Sequence, residues 1–233
     1  MRNAVASLGL ALLSAPALLS AQAGPPADLP LQLLPASTAG PMLAVFMTGD
    51  GDWAELDRDV AGALVQHGVA VVGFESHSYL AHGAHKSPDT IGLDLERILQ
   101  YYLKAWGRST VLVIGYSRGA QLAPFAVSRL SADLRRHVRL IALLNPALSA
   151  NFTYHFADLL GDKRRADDVP ILPELAKLTG TRVLCVYGVD EKESLCPLIP
   201  TGTARIVTTS GGHHFDGDYP ALAKLILDES KAP

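Results

Sequence analysis

Six short, almost continuous apolar runs recur along the chain: Met42–Met47, Val69–Phe74, Val111–Gly115, Leu140–Leu144, Val183–Tyr187 and Ile206–Thr208. Strands that lack a polar face are covered on both sides, as in a parallel sheet between helix layers. Between them lie stretches with apolar positions three and four apart: Trp53–Gln66, Thr90–Trp106, Arg118–Leu130 and Tyr219–Leu227. That spacing predicts amphipathic helices. Ser87-Pro88-Asp89 supplies a helix start before Thr90. The alternation predicts an α/β fold built on a mostly parallel, doubly wound sheet.

Two stretches fall outside this rhythm. Residues 24–41 are rich in Pro and Ala and read as a leading linker. Pro146 to Thr179 carries an aromatic patch (Phe152, Tyr154, His155, Phe156) and then the charged run Asp162 to Asp168. It is expected to form a small cap, over about residues 146–180, that shapes access to a site.

The first 23 residues have a different character. Arg2 gives a small positive start, Leu8 to Leu19 is apolar, and Ala21-Gln22-Ala23 is an A-x-A cleavage site. This pattern predicts a secretory signal peptide over 1–23 and an exported protein, periplasmic in a Gram-negative source. No later run reaches the roughly 18 apolar residues a membrane span needs. The expected layout is a signal peptide (1–23), a leading segment (24–41) and one catalytic domain (42–233).

The formal charge of −3 and the absence of a basic run point away from nucleic acid. The two cysteines, Cys185 and Cys196, are expected to pair in an oxidising compartment. They bracket Asp190 and Glu191, so the disulfide would staple that loop.

Candidate chemistry centres on Gly115-Tyr116-Ser117-Arg118-Gly119. G-x-S-x-G between a strand and a helix is the nucleophile elbow of an α/β-hydrolase. The order Ser, acid, His continues downstream. Asp190 follows the fifth apolar run and is the expected acid, with Glu191 as the fallback. His213 and His214, in the glycine-rich loop after the last run, are both candidate bases. Gly-x-x-His-Phe spacing favours His214, and Gly-His adjacency favours His213; the preference falls on His214.

The backbone N–H groups of Arg118 and Asp50 are the expected oxyanion donors. Asp52 is expected to cap the helix after Trp53. Asp50, Asp52 and Glu55 sit near the expected mouth, where acidic residues could attract an α-ammonium group and equally serve the dipole of the following helix. His77, His82 and His85 lie close in sequence, but their irregular spacing lacks a joining carboxylate or thiol cluster. No metal or cofactor is expected.

Thr48-Gly49-Asp50-Gly51-Asp52-Trp53, Lys86 to Asp89, Asp94, Tyr101-Tyr102, the elbow, Leu122 to Phe125, Tyr187 to Glu191 and Gly211 to Tyr219 carry a resemblance. They resemble the VirJ/AcvB bacterial virulence-protein domain, over about Met42 to Leu227. Gly-Gly-His-His-Phe-Asp-Gly-Asp-Tyr is its most specific string. Arg118 departs from the pattern, which commonly has an aromatic residue there, and Tyr79-Leu80 replaces an aromatic-rich stretch.

The resemblance implies an exported serine hydrolase that cleaves aminoacyl-phosphatidylglycerol, with transient contact at a membrane surface and links to secretion-system proteins. The alternatives are an esterase for another small ester, and a secretion accessory that binds without using the chemistry.

Overall fold

The computed structural model describes residues 24–82, 86–153 and 165–232. The expected signal peptide therefore lies outside the described residues. So do His85, Tyr154, His155, Phe156, Asp162, Lys163 and Arg164.

The first half runs β1 (Leu31–Leu34), β2 (Met42–Met47), α1 (Glu55–Gln66), β3 (Ala70–Phe74), α2 (Ser76–Ala81), α3 (Pro88–Ala105), β4 (Thr110–Tyr116) and α4 (Arg118–Ser128). The second half runs α5 (Ala132–Arg135), β5 (Val138–Leu144), β6 (Ser149–Ala150), β7 (Val169–Pro170), α6 (Leu172–Leu175), β8 (Arg182–Gly188), β9 (Arg205–Thr209) and α7 (Tyr219–Lys231). Seven strands form one sheet in the order β1-β3-β2-β4-β5-β8-β9. Every pairing is parallel except β1 with β3.

The apolar runs divide by parity, as two-sided burial requires. Leu43, Val45, Met47, Val111 and Val113 face a layer that includes α3 and α4. Ala44, Phe46, Leu112 and Ile114 face the layer of α1 and α7. Leu56, Val60, Ala61 and Leu64 bury one stripe of α1. Ser87 caps α3 by accepting from Thr90 N at 3.2 Å, with Pro88 at the first helical position. This is the start its sequence predicts.

Three features differ from the sequence reading. The leading segment is not only a linker: Leu31–Leu34 pairs antiparallel with β3 as an edge strand. Pro30 and Pro35 flank those four residues and disguise them, although Pro is compatible with a sheet edge. Ser76–Ala81, a stretch to which the sequence pattern assigns no element, is helical.

Asp52 does not cap α1, whose N-cap is Ala54. Its Oδ1 instead accepts from the N–H groups of His77 (3.0 Å) and Ser78 (3.1 Å), and its Oδ2 accepts from Ser78 Oγ (2.6 Å). The carboxylate thus serves the first turn of α2, where orphan N–H groups favour an anion. At the head of α1 the acceptor is Asp57, which takes Ala54 N at 3.1 Å.

The expected cap segment begins with β6, which pairs antiparallel with β7. Phe152 packs edge-on against Phe125 of α4, centroids 5.2 Å apart, and so ties this segment to the helix behind Ser117.

Candidate active site

Ser117 stands between β4 and α4 with φ 50° and ψ −112°, a left-handed conformation that non-glycine residues rarely adopt. Strain of this kind costs on the order of 1–3 kcal/mol and persists only where surrounding contacts enforce it. The enforcement is local. Ser117 N donates to Leu144 O at 2.9 Å, and Gly119 N donates to Thr48 O at 2.9 Å. A Cβ at Gly119 would lie 2.0 Å from Met47 O, and one at Gly115 would lie 2.4 Å from Gly119 O. Both glycines of the motif are therefore needed for strand and helix to meet this closely.

His213 Nε2 lies 2.9 Å from Ser117 Oγ, and His213 Nδ1 lies 2.7 Å from Glu191 Oε2. A carboxylate at Nδ1 holds the proton there, leaving the Nε2 lone pair toward the serine. Ser117, His213 and Glu191 thus form one hydrogen-bonded chain.

Within each doublet, the residue that the sequence favours is not the one the structure brings into this hydrogen-bonded chain. His214 does not face the serine. Its Nδ1 lies 3.0 Å from the Tyr116 hydroxyl, and its ring is perpendicular to that of His213. The buried Phe215, also at positive φ, anchors the following turn and sends the two imidazoles different ways. Burial pushes the Tyr116 hydroxyl well above the usual phenol range, so it stays neutral as a hydrogen-bond partner.

Asp190 is exposed, and its N–H donates to Gly211 O at 2.9 Å. Glu191 N returns to Gly188 O at 2.9 Å. That tight turn aims Asp190 at solvent and the longer Glu191 at the imidazole.

Cys185 and Cys196 form a disulfide, Cα atoms 5.6 Å apart. It fastens β8 to the far end of the loop that carries Glu191. The sequence expectation of a stapled acid loop holds, with Glu191 as the residue bonded to His213.

A cavity of about 430 Å³ opens over Ser117 and His213. Gln121, Asn145, Glu191 and Glu193 line it, together with Asp50, Pro146 and Ala147. Gln121, Asn145 and Glu193 carry no motif, and the sequence reading passed over them as site residues. The only sequence signal for Asn145 is its place at the end of an apolar run.

The expected donors Asp50 and Arg118 come together through their side chains. Arg118 Nε and Nη2 donate to the two oxygens of Asp50 at 3.1 and 3.3 Å, and Arg118 Nη1 donates to Gln121 Oε1 at 3.1 Å. The Arg118 side chain is 3% exposed, so the pair is held between the elbow and the loop after β2. This alters the expected attraction for an α-ammonium: Asp50 is neutralised by Arg118 and Asp52 is engaged by α2. Glu193 brings carboxylate to the cavity instead. Among the described residues, no group of three or more His, Cys, Asp or Glu side chains is arranged to hold a metal ion.

Solved structures share this architecture. Est1E from Butyrivibrio proteoclasticus, solved with ferulic acid bound, aligns at a TM-score of 0.57 and 15% identity, over 86% of this chain and 93% of that one. MenH from S. aureus aligns at 0.61 and 14% identity, over 87% and 99%. An esterase of Pyrococcus furiosus, Pf2001, aligns at 0.59 and 14% identity, over 88% and 93%. At such identities the likeness establishes the α/β-hydrolase fold. No curated protein matches the chain. The family described as bacterial virulence protein (VirJ) matches residues 41–232, nearly all of the chain beyond the leading segment, and the protein belongs to that family.

Proposed function

We propose that the protein is an exported serine hydrolase acting on a carboxylic ester, with Ser117 as nucleophile, His213 as general base and Glu191 as the orienting acid. The observation that carries this reading is the 2.9 Å and 2.7 Å hydrogen-bond chain ending on a strained elbow serine. In this mechanism Ser117 Oγ attacks the ester carbonyl while Nε2 takes its proton. The N–H groups of Arg118 and Asp50 receive the developing oxyanion. The imidazolium returns the proton to the departing alcohol, and a water activated by the same nitrogen releases the acid from the acyl-enzyme.

The substrate we favour is the aminoacyl ester of phosphatidylglycerol, yielding the lipid and a free amino acid. Family membership suggests it, and Glu193 in the wall of the same cavity suits the α-ammonium of such an acyl group. The expected compartment is the periplasm, in keeping with the leader pattern and the disulfide. Purified protein incubated with vesicles of lysyl-phosphatidylglycerol is expected to release lysine, and Ser117→Ala is expected to release none. Hydrolysis of simple esters with no release from these vesicles would reject the lipid substrate and keep the hydrolase.

A further inference from the structure

Asn145 is the first residue past β5, which lies between the strand that delivers Ser117 and the strand that delivers Glu191. It is 3% exposed and has φ 48°. Its Nδ2 donates to His213 O at 2.8 Å and to Gly212 O at 3.3 Å. Its Oδ1 accepts from Gly188 N at 3.2 Å. The amide can be oriented only this way, because its donor end meets two carbonyls and its acceptor end meets an N–H.

One side chain therefore ties the loop carrying the base to the turn carrying the acid. We infer that Asn145 is a positioning residue that holds His213 in register with both Ser117 and Glu191 through the His213 carbonyl. This inference rests on the serine-hydrolase reading above.

The residue type follows from the contacts. A left-handed φ at a strand end is tolerated by Asn, Asp and Gly. Of these, only Asn both donates to the two carbonyls and accepts from the amide. Asp would set a carboxylate against two carbonyl oxygens. Gly would remove the link altogether, leaving the His213 carbonyl to Tyr116 and the Gly212 carbonyl to Phe215 N. The Tyr116 hydroxyl, 3.3 Å from His213 O, supports the same carbonyl but reaches nothing on the acid turn. Loosening this link moves a base whose distance to Ser117 must stay near 3 Å.

The test is the rate at which a fluorophosphonate probe labels Ser117, measured against pH in the full chain. Asn145→Gly removes the link at a backbone conformation Gly adopts freely, and Asn145→Asp keeps the Gly188 contact while losing the other two. Labelling is expected to fall on the order of 10- to 100-fold in both, the scale of a misplaced catalytic group. In Asn145→Asp the acidic limb of the rate is also expected to move upward, because a new carboxylate near the imidazole favours its charged form.

The other titratable neighbours of His213 are unchanged by the substitution: Glu191, Tyr116 and His214 beside it, Asp50 and Glu193 across the cavity. A merely structural role would lower the amount of folded protein without slowing the labelling of the molecules that remain folded. Labelling of both variants within about threefold of the wild type at the pH plateau, whether or not the limb moves, would overturn the inference while leaving the hydrolase reading intact. A wild-type protein that does not label at Ser117 would reject the hydrolase reading and this inference with it.

Discussion

Replacing Glu191 by Gln tests the acid assignment with almost no change of shape. The bond from His213 Nδ1 to Glu191 Oε2 is 2.7 Å, and the side chains are 43% and 22% exposed. When the serine is attacking, His213 becomes an imidazolium and the carboxylate stabilises it. For unit charges about 4 Å apart, the attraction is about 4 kcal/mol at an effective dielectric near 20 and about 1 kcal/mol in water. The partial exposure of both groups sets the value between these limits, at about 2–3 kcal/mol, or roughly 30- to 150-fold in rate.

Gln can also turn its amide N–H₂ toward Nδ1, which moves the imidazole proton to Nε2 and away from useful geometry. The tautomer effect multiplies the loss, for a total on the order of 10²–10³ in kcat. KM should change little, since Glu191 acts through the imidazole. Asp190→Asn, by contrast, alters an exposed carboxylate whose backbone contact survives, and is expected to stay within about threefold. Steady-state hydrolysis of p-nitrophenyl acetate by both variants reads the difference. A hundredfold loss in Asp190→Asn with near-normal Glu191→Gln would refute this assignment and restore Asp190.

Two further predictions follow from packing and burial. Reducing the Cys185–Cys196 bond, or replacing both residues by Ala, should cost about 3 kcal/mol on the loop-entropy account and lower the melting temperature by about 5–10 °C; an unchanged melting curve would show that the loop is held by other contacts. Asp57 is fully buried, and burial raises its carboxyl from 3.8 to about 7. The folded state therefore holds a proton that the unfolded chain has released, so its contribution favours folding below pH 3.8 and is lost progressively as pH rises to about 7. Asp57→Asn keeps an acceptor for Ala54 N, so it should flatten this part of the stability–pH curve and raise the melting temperature more at pH 8 than at pH 5; an equal change at both would contradict the buried-acid account.

Much of this site is legible in the sequence because its parts are local. The elbow needs two glycines around a serine, and the tight approach of Gly119 to Met47 O explains why no side chain fits there. The strands are legible because both faces are buried, so their runs stay apolar. What the sequence leaves open is single-residue register inside turns. Asp190 and Glu191, like His213 and His214, are adjacent residues whose side chains diverge through backbone torsions. Those torsions depend on distant partners, such as the bond from Asp190 N to Gly211 O and the burial of Phe215. The edge strand Leu31–Leu34 hides for another reason: flanking prolines mimic a linker, while its pairing partner is about 40 residues away. Asn145 carries no motif, since its role consists of three hydrogen bonds to backbone groups brought in by other strands.

The central claim is that Ser117 is a nucleophile activated by His213. Mass mapping of the adduct formed with a fluorophosphonate tests it most directly. The account predicts one adduct on Ser117 in the wild-type protein, none in Ser117→Ala, labelling slowed on the order of 10³-fold or more in His213→Ala, and labelling within about tenfold of wild type in His214→Ala. An unmodified Ser117, or a His213→Ala protein that labels at the wild-type rate while His214→Ala does not, would contradict it.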